Sequence, residues 1–355
     1  MDGAAEVPDP PPVGPPRSRR VLRAVRGLVR VLRSNGLSFV GFVLVVLLLV
    51  ILAIVAIDPH LLVPYGPTQN TGAYSSPPTI FHSSGRWSHP FGTDGGGLDI
   101  YSEVMLALPL DVGIAVLIAG AALLSGGTLG LIAGFWDRPG TVGGYTSVLI
   151  LRITDVFLAF PSMILGLAIV AALGPGVWQV ILAVLLTWWP YYVRLVRGEV
   201  LAVKHLPYIV AARAAGVSER RILLRHVLRN VIDPLVVYFT LDIGTVLVTF
   251  STISYVLPRA IPYPRIPEWG SMMSFYYVNT QLSLYWWTIT FPAIAIFIAA
   301  LSFSLLGDGL RDVLDPRSRH ALAEASASPT RPPDAPEVPG GGSGTTVVPS
   351  TAEAG

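Results

Sequence analysis

Cysteine is absent from the 355 residues, so neither a disulfide framework nor a thiolate metal site can form. Lysine occurs once, as Lys204, followed by His205 and preceded by no glycine-rich loop. A phosphate-cradling P-loop needs Gly-Lys-Ser/Thr at the end of such a loop, so this chain has none. If ATP drives the protein, another chain binds it. Histidine is sparse as well. His60, His82, His89, His205, His226 and His320 never stand four residues apart, which excludes the His-x-x-x-His pair of a helical zinc hydrolase. Charge is the most telling shortage. Only 13% of residues are charged while 52% are hydrophobic, against roughly a quarter charged in a soluble domain. A bilayer is the solvent that suits this composition. The formal net charge of +2 decides little; the placement of the arginines sets the topology.

What is present is a series of apolar runs, each near the roughly 20 residues a helix needs to span a bilayer. They cover 36–57, then about 110–134, 144–173, 177–193, 235–257 and 288–306. The first follows a basic segment, 17–35, with Arg17, Arg19, Arg20, Arg23, Arg26, Arg30 and Arg33. No small-residue cleavage pattern follows that run, so it reads as an uncleaved helix rather than a signal peptide. Residues 1–16 hold Pro8, Pro10, Pro11, Pro12, Pro15 and Pro16 and read as a disordered leader. The polar segment 58–108 contains a single arginine, Arg86, and is expected outside the cytoplasm. Arg259 and Arg265 are the other outer arginines, whereas 194–229 and the end segment 307–320 are arginine-rich. The expected fold is therefore an all-α polytopic membrane protein with six transmembrane helices over 36–57 and 110–306, both termini cytoplasmic. A tail over 321–355 is too poor in apolar residues to fold.

Between the fourth and fifth runs lies a cation-rich island, 194–233. Ala211, Ala212, Ala214 and Ala215 favour helix and carry almost no bulk, which lets another backbone approach. Gly216 suits the left-handed residue that ends a helix, and Ser218 is placed to accept from the first free amides of the next one. That next helix sets Arg221, Arg225 and Arg229 on one stripe, until Asp233-Pro234 starts a new apolar helix. The fifth run carries Asp242, Thr245, Thr249, Ser251 and Thr252, a polar face fit for a water-filled passage or for a partner helix. Arg152 and Asp155, three apart, are spaced to pair on one face. Asp99 is placed to cap an interfacial helix.

The island resembles the Glu-Ala-Ala loop of membrane subunits of binding-protein-dependent ABC importers, through Ala211, Ala212 and Gly216. Val210 stands where that family usually has glutamate and Arg229 where it usually has proline. Longer strings resemble the dipeptide, oligopeptide and nickel branch of the family. They are His89 to Val104, with Leu98 at a position usually arginine, Arg152 to Pro161, Pro267 to Met273, and Leu306 to Arg317. The resemblance implies a permease subunit that pairs with a homologous permease and docks on two ATPase subunits holding ATP and Mg. It would receive substrate from an extracytoplasmic binding protein. It assigns ATPase coupling to Ala211, Ala212, Ala215, Gly216, Val217, Ser218, Glu219 and Arg220; the passage at Asp242, Thr245 and Thr249 is read from the polar face of the fifth run itself, where Asp242 lies deeper than an end anchor would. No catalytic or metal site is implied in this chain, and the cargo would be a peptide, a nickel chelate or an oligosaccharide. A self-sufficient secondary carrier or channel would show paired repeats, broken helices and a midplane carboxylate. A non-transporting scaffold would leave the polar face of the fifth run without a purpose.

Overall fold

The computed structural model describes residues 36–81, 88–279 and 285–314. The basic run 17–35, Arg86, and the leader and tail lie outside the described residues, as does the end of the last string, Asp315 to Arg317. All regular elements described are helical, with one isolated bridge between Thr93 and Asp99. In chain order they are α1 (Gly36–Ile57), α2 (Ile100–Phe135), α3 (Val142–Leu158), α4 (Ser162–Leu173), α5 (Val177–Val203), α6 (Pro207–Ala214), α7 (Glu219–Val256), α8 (Trp269–Asn279) and α9 (Trp287–Leu314). Five of these, α1, α2, α5, α7 and α9, are long and apolar enough to cross a membrane; α3 and α4 make a sixth span if the pair is taken together.

Several boundaries differ from the sequence expectation, α5 and α9 running past 193 and 306 to Val203 and Leu314. The third span is not one rod: α3 and α4 meet at 85° around Ala159–Pro161, where Pro161 disfavours helix in the residue before it. The second helix begins at Ile100, not near 110, and carries Pro109 inside it. Asp99 does cap it, accepting from the Ser102 amide (2.9 Å) and hydroxyl (2.7 Å). Asp233-Pro234 does not start a helix; α7 runs unbroken from Glu219 through Pro234. Membrane helices tolerate such prolines because neighbours satisfy the freed carbonyl. A π-helical stretch, Ile222–Val227, lies in the first turns of α7.

Packing follows from small residues. Gly126, Gly130 and Gly134 lie four apart on α2 and face α5. A Cβ on Gly130 would stand 2.7 Å from the Val193 carbonyl oxygen, so the two backbones are in direct contact there. This is how helices associate where lipid supplies no hydrophobic drive. The main apolar core joins α1, α2, α5, α7, α8 and α9, and a second, smaller core lies beneath α6.

At the end of the molecule opposite α6, residues 88–99 and 257–279 lock onto α2 and α9. Trp269 Nε1 donates to the Val104 carbonyl (3.0 Å) and its amide to Asp111 (3.1 Å). Trp287 Nε1 donates to the Thr93 carbonyl (3.1 Å), and His89 Nδ1 lies 2.9 Å from Asp99 Oδ1. Glu268 caps α8, accepting from the amides of Gly270 and Ser271. Glu268 is fully buried, and burial pushes its carboxyl above the ordinary carboxylate range.

Candidate functional site

Two features stand out: a hairpin at one end and a polar helix face within the bundle. The hairpin consists of α6, a turn, and the start of α7. Its turn closes as a Schellman motif. Val217 N donates to the Ala212 carbonyl (3.1 Å), Gly216 N to Arg213 (3.0 Å), and Gly216 takes φ +78. Ser218 precedes α7 but its hydroxyl caps nothing; the Ile222 amide bonds the Ser218 carbonyl instead (3.0 Å).

The residues expected at the hairpin tip divide by where they face. Ala211, Ala214, Ala215, Gly216, Ser218 and Arg220 are exposed, and Ala212 is half-buried. Val217 turns inward onto the small core of Phe135, Ile209, Ile222 and Val227. Glu219 is occupied from two sides. It accepts from Arg213 Nε (3.0 Å) within the hairpin and from Arg138 Nη2 (2.9 Å) in the α2–α3 loop. Two further bonds fix the same end of α2 against α5: Arg197 to Asp137 (2.9 Å), and Lys204 Nζ to the Gly134 carbonyl (2.9 Å). Partial burial pulls the Lys204 ammonium below its ordinary value, against the nearby Asp137. Arg221, Arg225 and Arg229 are all exposed.

On α7, Asp242, Thr245, Thr249 and Thr252 share one face, with Ser251 on the opposite side. Asp242 and Thr245 line a cavity of about 280 Å³ together with Tyr191, Tyr192, Leu195, Tyr238 and Leu241. Asp242 accepts from Trp188 Nε1 (2.6 Å). Tyr192 Oη, in the same cavity wall, is buried without a hydrogen-bond partner. Thr249 lies outside that cavity and donates to the Thr245 carbonyl (2.9 Å). Thr245 and Thr252 likewise bond carbonyls four residues back, so the hydroxyls are satisfied within the helix.

Spacing along the chain misses the partners that come from afar. Asp155 does not pair with Arg152; it accepts from Arg194 on α5 (2.6 Å). Arg138, Arg197 and Trp188 could not be read as site neighbours, since each meets its group across 54 residues or more. Among the described residues no group of acidic or histidine side chains could hold a metal ion.

The sequence matches the family described as "Binding-protein-dependent transport system inner membrane component" over residues 126–320. It is similar to the glutathione transport system permease protein GsiD of Pectobacterium atrosepticum. The two are 36% identical over 66% of this chain and 74% of that one. It is also similar to the dipeptide transport system permease protein DppC of Alkalihalophilus pseudofirmus, with 37% identity over 65% of this chain and 73% of that one. A solved chain of the inward-facing MetNI methionine ABC transporter superposes with a TM-score of 0.45 at 18% identity, covering 57% of this chain and 92% of that one.

Proposed function

Because the chain belongs to the family of binding-protein-dependent transport system inner membrane components, and is thus a multi-pass permease subunit of an ABC importer in the plasma membrane, we propose how its parts serve import. The hairpin tip is the contact through which separate ATPase subunits act. The surface made by Ala211, Ala212, Ala215, Gly216, Ser218 and Arg220 enters a groove on each ATPase, and Val217 and Glu219 hold that surface on its base. The observation that carries this reading is the exposed cluster of small residues Ala211, Ala214, Ala215, Gly216 and Ser218, on a turn whose other side is packed into a core. Small side chains permit close approach; the packed base lets force reach α5 and α7, which the hairpin joins.

ATP and Mg belong to the ATPase subunits, and this chain has no hydrolytic site of its own. Both termini and the hairpin face the cytoplasm, while 58–99 and 257–279 face outward and receive cargo from an extracytoplasmic binding protein. A second, homologous permease covers the exposed face of α7, so that Asp242, Thr245 and Thr249 line a passage shared by two chains. The names of the similar proteins, glutathione and dipeptide permeases, favour a short peptide as cargo.

The test is Gly216→Val in the reconstituted importer. Valine strains the left-handed turn, so labelled dialanine uptake is expected to fall at least tenfold while membrane insertion persists. Normal uptake by this variant would count against the hairpin as the contact.

A further inference from the structure

We propose that Arg138 is a positioning residue that delivers the movement of the hairpin directly to the α2–α3 loop and α3, beside the route through α5 and α7. The proposal rests on the reading of the hairpin as the ATPase contact.

The α2–α3 turn is held by adjacent residues to different bodies. Asp137 accepts from Arg197 on α5, while Arg138 donates to Glu219 at the start of α7 (2.9 Å). Glu219 is also bonded to Arg213 on α6, so the guanidinium of Arg138 engages a carboxylate already fixed by the first limb of the hairpin. The backbone of Arg138 continues the connection. Its carbonyl accepts from Thr141 Oγ1 (2.7 Å), and Thr141 in turn caps α3 by accepting from the Gly144 amide (3.1 Å). A chain of bonds therefore runs from Arg213 through Glu219, Arg138 and Thr141 into the first turn of α3. Among the described residues, Arg138–Glu219 is the ion pair joining this loop to the second limb.

Exposure separates this role from a merely structural one. The Arg138 side chain is 54% exposed and that of Glu219 35%, and ion pairs so open to water add little to folding. The small core of Phe135, Val200, Ile209 and Ile222 already holds the end of α2 under the hairpin. What Arg138 adds is direction: with it, a displacement of α7 pulls on α3.

The experiment uses the complete importer in nanodiscs with thiols introduced singly into this cysteine-free chain. Val142→Cys reports on the start of α3 and Leu224→Cys on the second limb of the hairpin; both positions are exposed. Labelling by an impermeant maleimide is compared with and without ATP and vanadate. With Arg138 present, trapping should change the labelling rate at both sites. In Arg138→Ala the change at Val142→Cys should shrink at least threefold while that at Leu224→Cys and the rate of ATP hydrolysis stay within twofold. Arg138→Lys should restore at least half of the Val142→Cys response. An unaltered Val142→Cys response in Arg138→Ala, or loss of both responses together, overturns the proposal. If Leu224→Cys never responds even with Arg138 in place, the reading of the hairpin itself fails instead.

Discussion

At the scale of single residues, the hydroxyl of Ser218 caps nothing although it sits where a cap belongs, because the Ile222 amide takes the Ser218 carbonyl. Gly216 announced a left-handed turn and takes one; Asp99 announced a helix cap and is one. Asp155 misled, because spacing offers Arg152 while the folded chain supplies Arg194 from another helix. Asp242 was readable as a polar group in an apolar run, yet its bond to Trp188 was not. That bond changes which variant is informative. Asp242→Ala would strand Trp188 Nε1, at about 1–3 kcal/mol for an unsatisfied buried group. Asp242→Asn keeps an acceptor for Trp188 and removes only the charge. It is expected to change dialanine uptake several-fold with complex assembly unaltered on size exclusion; lost assembly would make Asp242 a packing residue. Gly130 allows a sharper expectation. Gly130→Leu forces a side chain against the Val193 carbonyl and Val196, whose atoms would lie 2.7 and 2.9 Å from its Cβ. Overpacking of this kind costs about 1–3 kcal/mol, measurable as a lower Tm of the detergent-solubilised complex.

At the scale of elements, the apolar runs coincide with five helices long enough to span and with the bent pair α3–α4, while their ends do not all match. Asp233-Pro234 looks like a start because proline is favoured in a first helical turn, yet α7 passes through it, as α2 does through Pro109. Pro161 does break its span, into α3 and α4. The difference lies in what surrounds each residue rather than in its neighbours along the chain. The element least visible in the sequence is α8, anchored by Trp269 and capped by buried Glu268. Its carboxyl is raised by burial, so it holds its proton more tightly in the folded than in the unfolded chain. Such a group stabilises fully below its unfolded value, about 4.3, and that contribution is lost as pH rises through the folded value. Asp94, also raised by burial, acts in the same sense. Thermal stability of the purified complex is therefore expected to decline from about pH 5 upward through neutrality. Glu268→Gln should flatten that decline, and a slope unchanged by the substitution would exclude Glu268 as its source.

At the scale of the whole molecule, the proposed function divides the labour between this chain and separate ATPase subunits. With no P-loop around Lys204, the purified chain alone is expected to show no ATP hydrolysis above background. Activity should appear only with the ATPase subunits, and measurable turnover by the isolated chain would overturn the assignment. The second permease proposed above would cover the polar face of α7, which stands partly open in the single chain.

The length of α2 carries a consequence of its own. At 36 residues it measures about 54 Å, well beyond the roughly 30 Å of hydrocarbon it must cross. Its far tip reaches the segment sealed by Asp99 and His89, while its near tip rests against the hairpin. A rod of that reach amplifies: pivoting near the hairpin by about 5° would sweep the distant end through about 5 Å. A nudge too small to disturb packing at one membrane face can thus arrive at the other as a displacement the size of a side chain.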